Sequence, residues 1–147
     1  MSTAASINLS TQRELDAAPL LQALCHEQWT LNVDGQVRFA QHPEQDWQEP
    51  TFSSNADAIT LLTQALAEAP RLCVTLRSTG EEKEDVRLFF DRAEPQRLRV
   101  DLDTTRHLSS QNPLAIDYSW FLSRLAPALE ACKRQVVFFH IEAGRQG

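Results

Sequence analysis

The chain has 147 residues, of which 42% are hydrophobic, with seven Phe and three Trp. This composition suits one domain with a packed core and argues against global disorder. The net charge of −6 argues against nucleic-acid binding, because nucleic-acid phosphates bind to basic surfaces. No stretch approaches the roughly 18 apolar residues of a membrane span, and the N-terminal residues lack the features of a signal peptide. We therefore expect a soluble, cytoplasmic protein, of bacterial type.

The negative charge is concentrated in the N-terminal half of the sequence. Residues 1–70 contain nine acidic and two basic residues, a balance of −7. Residues 71–147 contain eleven acidic and twelve basic residues, a balance of +1. An acidic half of this kind is suited to contact a basic protein surface.

The N-terminal segment is predicted to be a flexible arm over residues 1–9, because its side chains are small and mostly polar. Residues 10–147 are predicted to form a single domain. Thr11 and Glu14 have the spacing of a capping box. A short helix is expected to begin near Asp16 or Ala17 and to end near Glu27.

Residues 29–40, WTLNVDGQVRFA, alternate between apolar and polar on both sides of Asp34-Gly35, which predicts a β-hairpin. A two-residue turn would mix the two faces, so we predict a three-residue loop over residues 33–35. That register pairs Leu31 with Val37 and Trp29 with Phe39.

The middle of the chain predicts a helix followed by three strands. Ser54 is a predicted N-cap, with an apolar helical stripe after it, and Pro70 must follow the end of the helix. The segments RLCVTLR, DVRLFFD and RLRVDLD each alternate between apolar and charged or polar residues, which is typical of an antiparallel meander with one solvated face. We expect cross-strand ion pairs on that face, which carries several arginines.

The C-terminal part of the sequence predicts one more helix and one more strand. The helical pattern over residues 115–133 contains Pro127, which is expected to kink the helix or split it in two. The final run VVFFHIE, residues 136–142, is apolar on both faces, which is typical of a central strand. The predicted fold class is α+β: a mainly antiparallel, partly mixed sheet of about six strands with two to three helices packed on it.

The leading candidate site is a partner-binding surface in the acidic half. It consists of Glu44, Asp46, Trp47, Glu49 and Asp57. Trp47, Phe52 and Trp29 either cluster there as an aromatic anchor or belong to the core. These features predict a non-catalytic domain that binds and masks a basic protein, as an immunity protein or inhibitor of a cationic toxin does. A chaperone for an effector of a secretion system is the second protein-binding possibility.

The octapeptide STGEEKED, residues 78–85, is a secondary candidate for partner binding. Its acidic side chains are Glu81, Glu82, Glu84 and Asp85. The donors do not have the spacing of a calcium loop, and a phosphate-binding GK[ST] motif is absent. We predict a solvated turn at the tip of a hairpin.

The alternative to protein binding is a small-molecule site or an enzyme, with a pocket between the sheet and the last helix. Its candidate side chains are Cys25, His107 and His140. The three cysteines, Cys25, Cys73 and Cys132, form neither a CxxC pair nor a disulfide framework and are expected to be reduced and buried. The sequence predicts no metal site and no cofactor, and it leaves open a homodimer formed through the last strand or the edge of the meander.

Overall fold

The computed structural model describes residues 2–26, 28–41, 47–80, 84–103, 118–131 and 136–146, with the backbone alone for residues 2–5, 103, 119 and 136–146. The strands are β1 (Ser2–Thr11), β2 (Trp29–Thr30), β3 (Phe39–Ala40), β4 (Arg71–Ser78), β5 (Asp85–Asp91), β6 (Arg97–Asp103) and β7 (Val136–Gln146). The helices are α1 (Ala17–Leu24), α2 (Asn55–Glu68) and α3 (Tyr118–Ala131). The protein is a single-domain α+β fold, which confirms the predicted class.

The strands form one sheet in the order β2-β4-β5-β6-β1-β7, and β3 also pairs with β4. Every strand pair in the described part of the chain is antiparallel, so the parallel component allowed by the prediction is not found there. The three-stranded meander β4-β5-β6 is confirmed. Its registers place Leu88 between Val74 and Val100, so one face of the meander is continuously apolar.

The helices pack on that apolar face and close one hydrophobic core. Phe121 of α3, Leu62 of α2 and Leu20 of α1 are each at most 1% exposed. Trp29 also belongs to this core, at 1% exposure, and its indole N–H donates a hydrogen bond of 3.0 Å to the carbonyl of Arg124. Among the described helices, none combines the length and apolar character needed to cross a membrane.

The flexible arm predicted for residues 1–9 is wrong. Residues 2–11 form β1, which lies inside the sheet with β6 on one side and β7 on the other. Ile7 and Leu9 face the core at 0% and 4% exposure, opposite Val100 and Leu98 of β6. Among the described side chains of β1, these are the two apolar core residues, and such a short apolar pattern does not indicate a strand by itself. Pairing with β6 and β7 on both sides stabilises the strand. The capping box predicted at Thr11 and Glu14 is also wrong, because Thr11 is the last residue of β1.

The hairpin register predicted for residues 29–40 is also wrong. Val33 and Gln36 exchange backbone hydrogen bonds of 2.9 and 3.2 Å across a two-residue turn, in which Asp34 and Gly35 have φ values of 56° and 83°. Two positive φ values are typical of a type I′ turn. The prediction assumed that the two halves of this segment pair with each other. Instead, both β2 and β3 pair with β4, so they form one interrupted strand at its side.

The predicted positions of α1 and α2 agree with the structure, and the last two elements differ from expectation. α1 begins at Ala17, and α2 is capped by the Ser54 hydroxyl, which accepts a hydrogen bond of 3.2 Å from the Asp57 N–H. α3 continues through Pro127 as one element, so the helix is not split. β7 lies at the end of the described sheet order rather than in its centre, and β1 occupies a central position instead.

Candidate protein-binding surface

The sheet has an outer face, which is the face opposite the helices, and most charged side chains of the strands lie on it. Along β5, buried core residues alternate with outer-face residues such as Arg87. β4 places Arg77 on the same face, where Cys73 and Thr75 are buried as well. β6 repeats this alternation with Arg97, Arg99 and Asp101. This pattern follows from the two-residue period of a strand, which sends successive side chains to opposite faces.

Trp47 lies on this outer face. Gln48 exchanges backbone hydrogen bonds of 3.1 and 2.8 Å with Phe39, which brings the chain beside β3. The ring of Trp47 then lies against the Arg87 guanidinium, with 5.4 Å between the guanidinium carbon and the ring centre. Trp47 is 37% exposed and is the exposed large hydrophobic side chain of the described chain. Its position is therefore that of a surface residue held by a cation–π contact.

Most arginines around Trp47 are neutralised by carboxylates. Arg77 donates two hydrogen bonds, of 2.8 and 3.2 Å, to Asp85 and a third, of 3.2 Å, to Asp34. The hydrogen bond to Asp85 is the main cause that raises the pKa of Arg77 further above its ordinary value. Arg99 makes a similar two-pronged contact with Asp101, at 2.7 and 3.2 Å.

Arg87 differs from these arginines. Its cross-strand neighbour is Asp101, whose carboxylate oxygens both accept from Arg99. Within the part of the chain that the structure describes, no carboxylate lies within 4 Å of Arg87. Among the described residues, the contact of the Arg87 guanidinium is therefore the ring of Trp47 rather than a carboxylate.

The structure describes three of the five residues predicted to bind a partner, Trp47, Glu49 and Asp57. Glu49 follows Trp47 by two residues, and its carboxylate lies 2.9 Å from Arg38 in an ion pair that is partly exposed. Asp57 lies in the first turn of α2, in the helical layer, where it accepts a hydrogen bond from Ser53. Glu44 and Asp46 lie outside the described residues.

The hairpin tip between β4 and β5 is less solvated than predicted. Glu84 is 4% exposed, so its assignment as a solvated, partner-binding residue is wrong. Its backbone N–H donates to the Ser78 hydroxyl, and its carbonyl accepts from the Ser78 N–H, both at 2.8 Å. These backbone bonds close the hairpin at Glu84. Asp85 is committed to Arg77, and Glu81 and Glu82 lie outside the described residues.

The aromatic residues of the acidic half do not form one surface cluster. Trp29 is in the core, where its ring meets that of Trp120 edge-on, with 6.5 Å between centroids. Phe52 is half-buried and packs against the core. Of these three aromatic residues, Trp47 is therefore the one that lies on the surface.

A groove of about 710 Å³ crosses the outer face at the end where β4, β5, β6 and β1 run side by side. Its charged lining comprises Arg71, Asp91, Glu94, Arg97 and Arg99, and its remaining lining includes Cys73, Phe89 and Asn8. Arg71 pairs with Asp91 at 3.4 Å, and Arg97 pairs with Glu94 at 3.1 Å. The charges of the groove are thus largely balanced by its own residues.

The groove does not coincide with the pocket predicted between the sheet and the last helix. Cys25 lies just after α1 in the helical layer, where burial raises the pKa of its thiol to about 11. Cys73 lies at the groove, where burial raises the pKa of its thiol to about 12 although Arg87 and Arg99 act to lower it. His140 is in register with Asn8 of β1, and His107 lies outside the described residues.

No three His, Cys, Asp or Glu side chains within the described ranges are placed to hold a metal ion. Comparisons of the chain with models of protein families, with characterised proteins and with solved structures give no match. The sequence predicts arginines on the solvated face of the meander and Trp47 in the acidic half. The pairing of Gln48 with Phe39, which joins them, has no local sequence signal.

Proposed function

We propose that the protein is a non-catalytic binding domain that masks a basic partner protein through a surface centred on Trp47. The observation that carries the proposal is the exposed Trp47 ring held on the Arg87 guanidinium. Trp and Arg are the residue types that contribute most at protein interfaces, and a side chain held in place before binding loses less conformational entropy on association.

The charge around Trp47 supports a basic partner. Glu49 is exposed beside it, and Glu44 and Asp46 precede it by three residues and one residue in a half that carries a balance of −7. Carboxylates around an aromatic anchor accelerate the association of a cationic surface and orient it. A toxin with a basic active site, such as a nuclease, has a surface of that kind. We assign the protein to a cytoplasmic role as an immunity protein or inhibitor, with an escort chaperone as the second role of the same class.

The experiment is capture of the partner followed by measurement of association rates with purified components. We expect a stoichiometric basic protein whose binding weakens as salt rises. Reversing Glu44, Asp46 and Glu49 to Lys should slow association about tenfold or more at low salt. The matched control for each single reversal of the three is Glu68→Lys, the same change of charge at the end of α2 in the helical layer. Unchanged association of the triple variant would contradict the proposal.

A second candidate function, small-molecule binding, is supported by the outer-face groove. A volume of about 710 Å³ lies within the range typical of ligand pockets. Purified protein would then retain a metabolite, and Phe89→Ala in the groove would release it while Trp47→Ala would not. Retention of a ligand together with no basic partner would favour this second function.

A further inference from the structure

The two edges of the described sheet differ strongly in their construction. At one edge, β2 and β3 have two residues each and are separated by the turn at Asp34-Gly35. Beyond β3, backbone bridges join Gln36 to Thr51 and Phe39 to Gln48, so another segment of the chain covers this side. Short, interrupted and covered strands are devices that prevent a sheet edge from pairing with another molecule.

Within the described residues, the opposite edge shows none of these features. β7 is a continuous strand of eleven residues, and among the described strands it pairs with β1 alone. Its sequence, VVFFHIEAGRQ, contains no Pro and no Lys, and its first six residues are apolar except for His140. Such a composition is typical of a strand with neighbours on both sides. A sequence suited to the centre of a sheet thus stands at its end.

We infer that β7 pairs with β7 of a second copy of the chain, which gives an antiparallel dimer with one continuous sheet. Pairing of an edge with itself is isologous and closes at two subunits, whereas pairing with a different edge would extend into a polymer. The covered edge at β2 and β3 does not offer a long strand. Within the described sheet, the long edge strand with which β7 can pair is therefore β7 of a second copy.

The sequence of β7 also complements itself in one register. When all eleven residues overlap, Ile141 lies on the two-fold axis and His140 faces Glu142 of the second copy, twice by symmetry. In the same register, Phe139 faces Ala143 and Phe138 faces Gly144, so each large residue is opposite a small one. Opposite polar partners and complementary sizes both favour a cross-strand pair. The irregularity between Ser10 and Thr11 in the pairing with β1 falls at the beginning of β7, away from the two-fold axis.

The full chain in solution tests this inference by its mass and by its charge pattern. Sedimentation and light scattering should give twice the chain mass of 16.6 kDa in the micromolar range. His140→Glu places two pairs of like charges across the axis and should weaken dimerisation about five-fold. Adding Glu142→Lys to that variant should restore it. The control Gln64→Glu makes the same change of charge on the exposed side of α2 and should leave the mass unchanged.

Amide hydrogen exchange of the unmodified protein provides a readout that does not depend on the folding of any variant. In an unpaired edge strand, alternate N–H groups point to solvent, whereas in the dimer consecutive amides of residues 138–144 should all be protected and should lose protection alternately on dilution. A monomeric mass throughout the micromolar range, or an alternating exchange pattern at every concentration, would overturn the inference. So would a dimer dissociation constant that His140→Glu leaves unchanged.

Discussion

The Arg87 guanidinium lies 5.4 Å from the centre of the Trp47 ring, on the face of the sheet that the helices do not cover. One of these residues comes from a strand of the meander and the other from a connection forty residues earlier. Their contact makes a surface feature from two parts of the chain that have opposite charge balances. It also explains why an exposed tryptophan has a defined position.

Replacement of tryptophans should distinguish surface from core. Trp47→Ala should lower the free energy of unfolding by about 1 kcal/mol or less, because an exposed cation–π contact contributes about 0.5–1 kcal/mol. Trp29→Ala should cost about 3–5 kcal/mol, since it removes a buried ring and its hydrogen bond to Arg124. Urea unfolding followed by circular dichroism measures both. A loss of several kcal/mol for Trp47→Ala would mean that its ring serves the fold rather than a partner.

The Arg77–Asp85 pair should stabilise the hairpin more than the other outer-face ion pairs do. Its side chains are 22% and 31% exposed, and each carboxylate oxygen of Asp85 accepts one hydrogen bond from the guanidinium of Arg77. A double-mutant cycle with Arg77→Gln and Asp85→Asn should give a coupling of about 1 kcal/mol. The same cycle on Arg97 and Glu94, at 67% and 50% exposure, should give about 0–0.5 kcal/mol. Equal couplings would contradict this ranking.

The cost of substituting Gly35 should depend on its backbone conformation and not on the space around it. Its φ is +83°, and an added Cβ would meet no atom within 4 Å. Gly35→Ala should therefore cost about 1–2 kcal/mol from the left-handed conformation alone. Gly35→Asn should cost less, because Asn enters that region more readily than Ala. Thermal unfolding of the two variants measures the order, and a greater loss for Asn would indicate a different turn.

The thiols of Cys25 and Cys73 should react slowly in the native protein. Their pKa values are raised to about 11 and about 12, so at pH 8 the reactive thiolate is scarcer than in the unfolded chain by about two orders of magnitude or more. Alkylation followed by mass spectrometry of each cysteine peptide should show protection that urea abolishes. Rapid labelling of either cysteine in native protein would contradict its burial.

The same shifts predict how these two thiols change stability in alkaline solution. The unfolded thiols lose protons near pH 9, whereas the native thiols retain them until the pH approaches 11 or 12. Above pH 9 the native state therefore binds more protons than the unfolded state, and the free energy of unfolding falls as pH rises. Cys73→Ser should reduce the steepness of this fall, which urea titrations between pH 8 and pH 10 would detect.

Removal of residues 2–9 should abolish cooperative folding. β1 contributes the buried Ile7 and Leu9 and joins β6 to β7, so its loss divides the sheet and exposes the core. Circular dichroism should show the loss of the thermal transition. If the truncated chain still unfolds cooperatively, residues 2–9 are a dispensable arm and this prediction is wrong.

Local sequence determined the elements whose signals lie within a few residues of each other. The Ser54 cap and Pro70 bound α2, and the alternation over residues 71–103 defines the meander, because capping bonds and strand periodicity depend on near neighbours. The α+β class follows from the order of these elements, including the run at residues 136–142.

Tertiary structure decided the features that depend on distant partners. Among the described side chains of β1, the apolar ones that face the core are those of Ile7 and Leu9. This segment is a strand because β6 and β7 both pair with it. Glu84 is buried where its backbone and Ser78 close the hairpin, and Trp47 meets Arg87 because Gln48 pairs with Phe39. Strand pairing joins residues far apart in sequence, and a chain's local pattern shows which side chains can be buried but not which strand will lie beside them.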